Sequence, residues 1–350
     1  MRACCLASTA LFLLSLPAFP WQSETPANPV HGDTDRRITL DVVVTNKSGA
    51  PVAGMAQQDF VVLDNKHPQK ILDFRAINGN TADPPIQIIL LIDRVNTSTQ
   101  NAAYERLQTE KFLRQNGGHL AYPVSMVFLS DSGTQTQDAS QDGNALAAAL
   151  EQSESGLRTI RRSQGIYGVV DRIRLSLGAL SSLAASEANT PGRKMLIWIS
   201  PGWPPLAGPS LQLTDKQRQG IFNQIVATST ALWRAHITLY SIDPLGIADA
   251  GGFGTGYYQE FTKGVNTDKQ AQAGNLTLQV LAYQSGGRVL NLGNDIAGEI
   301  ATCIADANAF YVLSFDSPPA DNPNGYHGLE VKIGKPGFKA LTRTVYYAQP

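Results

Sequence analysis

The stretch Pro84-Pro-Ile-Gln-Ile-Ile-Leu-Leu-Ile-Asp93-Arg-Val-Asn-Thr-Ser98 decides the fold. Apart from Gln87, its run from Ile86 to Ile92 is apolar and largely β-branched, too short for a membrane span, and it stops at Asp93 with a polar cluster behind it. A strand buried on both faces has this composition, because helices cover both sides of a parallel sheet. Such sheets bind their ligands in the crevice beyond the carboxyl ends of the strands. Asp93, Arg94, Asn96, Thr97 and Ser98 are therefore the first candidate residues for partner binding.

Outward from this strand, between residues 84 and 306, strand and helix signals alternate. Tyr104, Leu107 and Phe112 mark a helix, Tyr122 to Leu129 a second buried strand, and Thr134 to Gln137 a short antiparallel one. Asp142 caps a helix carrying Leu146, Ala149 and Leu150, and Val170, Ile173, Leu177, Leu180 and Ala184 form another helical stripe. Met195 to Ile199 and His236 to Ile242 are further strands, and the helix between them opens on a capping box of Thr214 and Gln217. A helix near Leu276 to Tyr283, a strand at Arg288 to Leu290 and a helix from Asp295 to Ala305 follow. Repeated units of this kind predict an α/β domain over 84–306, with a doubly wound, mostly parallel sheet and helices on both faces.

The flanks read differently. In residues 37–80, Ile38, Leu40, Val42 and Val44 alternate with polar positions, and short strands follow at Phe60 to Leu63 and Ile71 to Phe74. This module is too small to stand alone and needs strands from elsewhere. Residues 309–350 supply them at Phe310 to Phe315, Gly328 to Ile333 and Leu341 to Tyr347. A small β-sandwich built from both ends of the chain, with the α/β domain inserted between its halves, is the expected organisation.

Composition narrows the function. The 350 residues are 43% hydrophobic and 16% charged, with a formal net charge of -1. No basic excess or stripe suits nucleic acid or an anionic membrane. Residues 1–22 have the charged start and short apolar run of a signal peptide, and residues 23–36 read as a linker. Export to the periplasm or medium follows, with no transmembrane helix in the mature chain. Only Cys303 of the three cysteines then remains, on a helical face with Ile296, Ile300 and Ile304, where a small buried thiol is expected.

Three strand features together resemble a von Willebrand factor type A domain: the buried strand ending in Asp93, Met195 to Ile199 preceded by Gly192-Arg-Lys194, and the strand closing with Tyr240-Ser-Ile-Asp243-Pro. The flanks Val42-Val-Val-Thr-Asn-Lys-Ser-Gly-Ala-Pro-Val-Ala-Gly-Met55, Gln58-Asp-Phe60, Phe310-Tyr-Val-Leu-Ser-Phe315 and Tyr326-His-Gly-Leu-Glu-Val-Lys332 extend the likeness. Over about residues 37 to 348 the chain resembles a von Willebrand factor A-related family of exported bacterial proteins, abundant in Acidobacteria and without an assigned activity. The resemblance implies a site for Mg²⁺ or Mn²⁺ in metal-binding members, made by an Asp-x-Ser-x-Ser stretch, a Thr from a second loop and an Asp after the fourth strand. Here Asp93 and Thr97 hold the first and fifth places, Val95 offers no oxygen at the third, and Ser200-Pro-Gly stands where the last Asp is expected. Asp93, Thr97 and Ser200 are the ligands such a site would retain, and the reading is of a degenerate metal-ion-dependent site. Thr159 or Ser163 would come from the second loop, among Arg158, Arg161 and Arg162. A guanidinium, from Arg94 or from the Arg158 to Arg162 cluster, could then neutralise Asp93 in place of a metal, while simple helix capping by Thr97, Ser98 or Thr99 is the plainer alternative.

Other chemistry is sparse. The five histidines have no metal-ligand spacing, His236 beginning a strand and His327 lying in a turn, and no Gly-x-Ser-x-Gly nucleophile turn is present. Gly252-Phe-Gly-Thr-Gly256 has the glycines of a phosphate loop without its strand and helix, and reads as a surface loop whose Phe253, Tyr257 and Tyr258 could touch a partner. Trp203, after a central strand, is either an interface anchor or packing over its Pro-rich turn. No catalytic residues and no cofactor are assigned. The expected function is a protein-binding or adhesion-type module facing a protein or cell-envelope partner through the sheet's carboxyl edge. The alternatives are a hydrolase-like enzyme using Asp93, Asp131 or Asp243, and a structural subunit of an envelope complex.

Overall fold

The computed structural model describes residues 36–153, 165–203, 213–244, 256–291, 293–318 and 324–348. The expected signal peptide and most of the linker, the second-loop residues Arg158 to Ser163, the turn prolines Pro204 and Pro205, and Gly252 to Thr255 lie outside the described residues. The strands run β1 (Arg37–Thr45), β2 (Phe60–Asp64), β3 (His67–Gln69), β4 (Asp73–Asn78), β5 (Gln87–Asp93), β6 (His119–Ser130) and β7 (Gly133–Asp142). After them come β8 (Lys194–Ile199), β9 (Ile237–Ile242), β10 (Val289–Leu290), β11 (Ala309–Asp316), β12 (Gly325–Ile333), β13 (Lys339–Leu341) and β14 (Val345–Ala348). Among the described residues, six α-helices accompany the middle strands: α1 (Thr99–Leu113), α2 (Gly143–Ser153), α3 (Gly165–Glu187), α4 (Asp215–Arg234), α5 (Leu278–Ser285) and α6 (Ile296–Ala305).

The deciding stretch forms β5, the inner strand of a six-stranded sheet ordered β10-β9-β8-β5-β6-β7. Every neighbouring pair is parallel except β6 with β7. Because side chains alternate across a strand, Ile88, Leu90 and Ile92 enter one core with Phe112 of α1, Leu146 of α2 and Ile300 of α6. Ile89 and Leu91 enter a second core with Leu180 of α3, Ile225 of α4 and Leu281 of α5. Helices thus cover both faces, which is why this strand tolerates almost no polar residue. Cys303 is buried within the first core, and burial raises its thiol pKa well above the usual range.

The register aligns the carboxyl ends. Asp93 pairs with Leu129, and Ile92 with Ile199, which pairs in turn with Ile242. The first strand of the sheet has its successor β6 on one side and β8 on the other, so the strand order reverses between β5 and β8. The crevice above those two strands is the position where α/β sheets bind ligands.

Strands from the two ends of the chain interleave in two antiparallel four-stranded sheets, ordered β13-β1-β11-β4 and β14-β12-β2-β3. Their facing sides share a core of Ile38, Leu40, Val42 and Val44 with Phe60, Val62, Tyr311, Leu313 and Val331. The segment expected as one strand from Leu341 to Tyr347 is divided, β13 pairing with β1 and β14 with β12. The polar turn at Thr342 and Arg343 lets the chain cross from one sheet to the other.

Arg288 and Asp306 fasten these sheets to the helix-covered one. Asp306, just past α6, accepts from Arg288 Nε at 2.7 Å and from its Nη2 at 2.5 Å, and the same Nη2 donates to the Gly49 carbonyl after β1 at 2.8 Å. Arg193 donates to the Asp306 carbonyl at 3.0 Å and lies 4.6 Å from the Phe310 ring centroid. A planar, always charged guanidinium suits such a fork, since its five donors are fixed in geometry.

Candidate functional site

Asp93 closes β5 with no exposed surface, and its two oxygens are fully employed. Oδ1 accepts from the main-chain N–H groups of Val95 at 2.8 Å and Asn96 at 3.0 Å, and Oδ2 accepts from Asn96 Nδ2 at 2.7 Å and Trp198 Nε1 at 2.9 Å. A carboxylate has about four acceptor sites, so this one is saturated by neutral donors. Asn96 Nδ2 also reaches Ser176 Oγ of α3 at 2.9 Å. The carboxylate therefore ties three pieces together: the turn after β5, the neighbouring strand β8, and through Asn96 the helix α3.

Of the guanidinium groups expected beside Asp93, those of Arg158 to Arg162 lie outside the described residues, and that of Arg94 is directed elsewhere. Arg94 Nη1 lies 3.9 Å from Glu105 Oε2 on α1. Just past the end of β5, the Arg94 N–H still donates to the Leu129 carbonyl at 2.8 Å, so the two adjacent side chains keep the strand's alternation and point to opposite faces of the sheet. Asp93 turns toward Trp198 and α3, and Arg94 toward α1. Glu105 itself is wholly buried and accepts from Thr97 Oγ1 at 2.6 Å. Burial pushes its carboxyl up to about 8, against the hydrogen bond from Thr97 and the charge of Arg94.

Of the predicted partner-binding residues, Asp93, Arg94, Asn96 and Thr97 are buried and engaged within the fold, where they support the carboxyl edge. Ser98 is half-buried and caps α1, its Oγ accepting from Asn101 N at 3.2 Å. Capping thus falls to Ser98 alone among the three hydroxyls considered for it, because Thr97 gives its hydroxyl to Glu105. Trp203 is 1% exposed, donates Nε1 to the Leu276 carbonyl at 2.9 Å and meets the Trp198 ring edge-on at 5.6 Å. It packs the turn after β8, the second of the two readings open to it.

The oxygens expected of a metal site are engaged to different degrees. Thr97 Oγ1 donates its hydrogen to Glu105 and keeps its lone pairs, Ser200 Oγ accepts from Gly202 N at 2.9 Å in a tight turn whose Gly202 has φ 76°, and the carboxylate of Asp93 is the oxygen pair already filled. With Val95 lacking an oxygen and two main-chain N–H groups aimed at Asp93, the arrangement does not fit a hard cation, which needs free oxygens. Among the described residues, no group of three or more His, Cys, Asp or Glu side chains is placed to hold a metal ion.

The remaining candidates are scattered. Asp131 is exposed in the turn between β6 and β7, and Asp243 is half-buried at the end of β9. Because β8 lies between β5 and β9, the main chains at Asp93 and Asp243 are roughly 10 Å apart. His236 precedes β9 with φ 52°. His327 lies in β12 and not in a turn; its Nδ1 is 2.9 Å from Asp64 and 2.9 Å from the Tyr346 hydroxyl, which donates to Asp64 at 2.7 Å. Tyr257 places its hydroxyl 3.0 Å from Gln279 Oε1, and burial raises it to about 12.

Sequence reasoning missed Glu105, Trp198 and Ser176. Glu105 could have been found from spacing, since Ala102, Glu105, Thr109 and Phe112 make the buried stripe of α1 while Tyr104 and Leu107 are exposed. A tryptophan within a buried strand also signals a partner for its N–H. The contact of Ser176 with Asn96 has no local signal, because 80 residues separate them.

The sequence matches no protein-family model, and no curated protein matches it. Among solved structures, the chain is similar to the manganese-loaded TRAP protein of Plasmodium vivax at 10% identity and a TM-score of 0.37, covering 79% of this chain and 98% of that one. It is also similar to the pilus adhesin SpaC of Lactobacillus rhamnosus GG, at 10% identity and a TM-score of 0.37, covering 85% of this chain and 49% of that one. A third likeness is to three N-terminal domains of a type V pili tip protein from Porphyromonas gingivalis, at 11% identity and a TM-score of 0.35, covering 89% and 66% respectively. No helix among the described residues is long and apolar enough to cross a membrane.

Proposed function

We propose that the chain is an exported binding module of von Willebrand factor A-like architecture, which engages a protein or cell-envelope partner without a divalent cation and without catalysis. The strand order, with β5 central and one antiparallel edge strand, supports the architecture. The single observation that carries the functional reading is the saturation of Asp93 by four neutral donors. Its carboxylate has no acceptor site left for a cation, and no proton-transfer role is open to oxygens already held by main chain and indole. The acid is a keystone that shapes the carboxyl edge, and contact with a partner falls to exposed surface elsewhere.

The test is retention of the purified full-length chain on envelope material from its source. Binding is expected to be saturable and unchanged by EDTA, with no hydrolytic activity on the retained material. Retention abolished by EDTA and restored by Mg²⁺ or Mn²⁺ would contradict the reading.

A further inference from the structure

A groove of about 1110 Å³ opens along β12, between that strand, the segment from Phe338 to Thr344 and the end of α5. β14 covers β12 only from Gly325 to Gly328. Leu329 then donates its N–H to the Thr344 carbonyl at 2.8 Å. Main-chain groups alternate sides along a strand, so Val331 and Ile333 turn theirs the same way as Leu329. No strand among the described residues pairs with β12 on that side of them, because β13 pairs with β1. An open strand edge of this kind is a template for an added strand.

The side chains say what would be added. Lys66, Lys263, Lys332 and Lys339 line the groove and are exposed, and Glu330 is its one acid, 3.7 Å from Lys332. On a chain whose net charge is -1, this is a local basic excess. Tyr283, 46% exposed, and the half-buried Tyr326 and Phe338 add aromatic surface. We infer that this groove is a docking site for an extended acidic peptide of a partner protein, which lies along β12 with its carboxylates on the lysines and alternate apolar residues on the aromatic surface. The concave shape and the main-chain edge favour a peptide over an anionic membrane, which needs a flat or convex basic face.

This deepens the binding-module reading and rests on it for biological meaning. Its test uses the full-length chain and a fluorescein-labelled peptide of alternating Glu and Val, about ten residues long, followed by anisotropy. Saturable binding is expected, weakened about tenfold or more in a Lys263→Glu, Lys339→Glu variant and by raising salt from about 50 to about 500 mM, since exposed charges are screened. A peptide of alternating Lys and Val is expected not to bind, nor one N-methylated at alternate residues. Absence of binding by the acidic peptide, equal binding by the double variant, or binding of phosphatidylglycerol vesicles in place of peptide would each overturn the proposal. Envelope retention that persists in the double variant would remove the groove alone and leave the module reading intact; peptide binding without envelope retention would do the reverse.

Discussion

Asp93→Ala is expected to lower the unfolding free energy by about 3–5 kcal/mol, measured by denaturant unfolding of the full-length chain. The substitution strands four buried donors at once: the N–H groups of Val95 and Asn96, the Asn96 amide and the Trp198 indole. Each unpaired buried donor costs about 1–3 kcal/mol, and partial relaxation keeps the sum near the cost of breaking a buried ion pair. Asp93→Asn should lose about half as much, because one carbonyl oxygen still accepts while its amide meets two donors. Ser98→Ala, which removes only a helix cap, should cost about 1 kcal/mol. An Asp93→Ala chain within about 1 kcal/mol of the parent would mean the carboxylate is not structural.

The second large effect is on the pH dependence of stability. Glu105 is raised from 4.5 to about 8 by burial, with Asp93 and Asp243 adding in the same direction and Thr97 and Arg94 opposing it. The folded chain therefore keeps a proton that the unfolded chain has released between these two values. Unfolding releases that proton, so stability falls as pH rises through this window, by about 1.4 kcal/mol per unit, and levels off above the folded value. Glu299, raised to about 7 by burial and by Asp243 and Asp295, tilts the lower part of the window the same way. Glu105→Gln keeps an acceptor for Thr97 and has nothing to titrate. Its stability is expected to match the parent near pH 5 and to exceed it by several kcal/mol near pH 8. Parallel stability curves for the two chains would show that Glu105 is ionised in the fold.

Both effects arise where the sequence was partly legible. Strand β5 could be read from composition because full burial on two faces leaves no room for alternation. The shared carboxyl edge followed from parallel topology, and Asp142, Thr214 and Gln217 sit at the helix starts that their side chains mark. Helix α1 was placed correctly from Tyr104, Leu107 and Phe112, yet its inward face was misread, because Glu105 and Thr109 occupy core positions that an apolar count overlooks. The roles of Asp93 and Arg94 were read as a local pair, whereas strand alternation sends them to opposite sides, one to Trp198 and the other toward Glu105. Trp203 shows the same limit: a tryptophan after a strand is either anchor or packing, and only the long-range bond to Leu276 decides. Contacts between residues distant in sequence carry this site, and spacing along the chain does not encode them.

Isothermal titration of Mg²⁺ and Mn²⁺ into the full-length chain, alongside Asp93→Ala, tests the central claim most directly. The saturated carboxylate predicts no saturable heat below millimolar concentration for either ion and no rise in melting temperature on adding them. Micromolar binding by the parent chain, lost on Asp93→Ala, would contradict it.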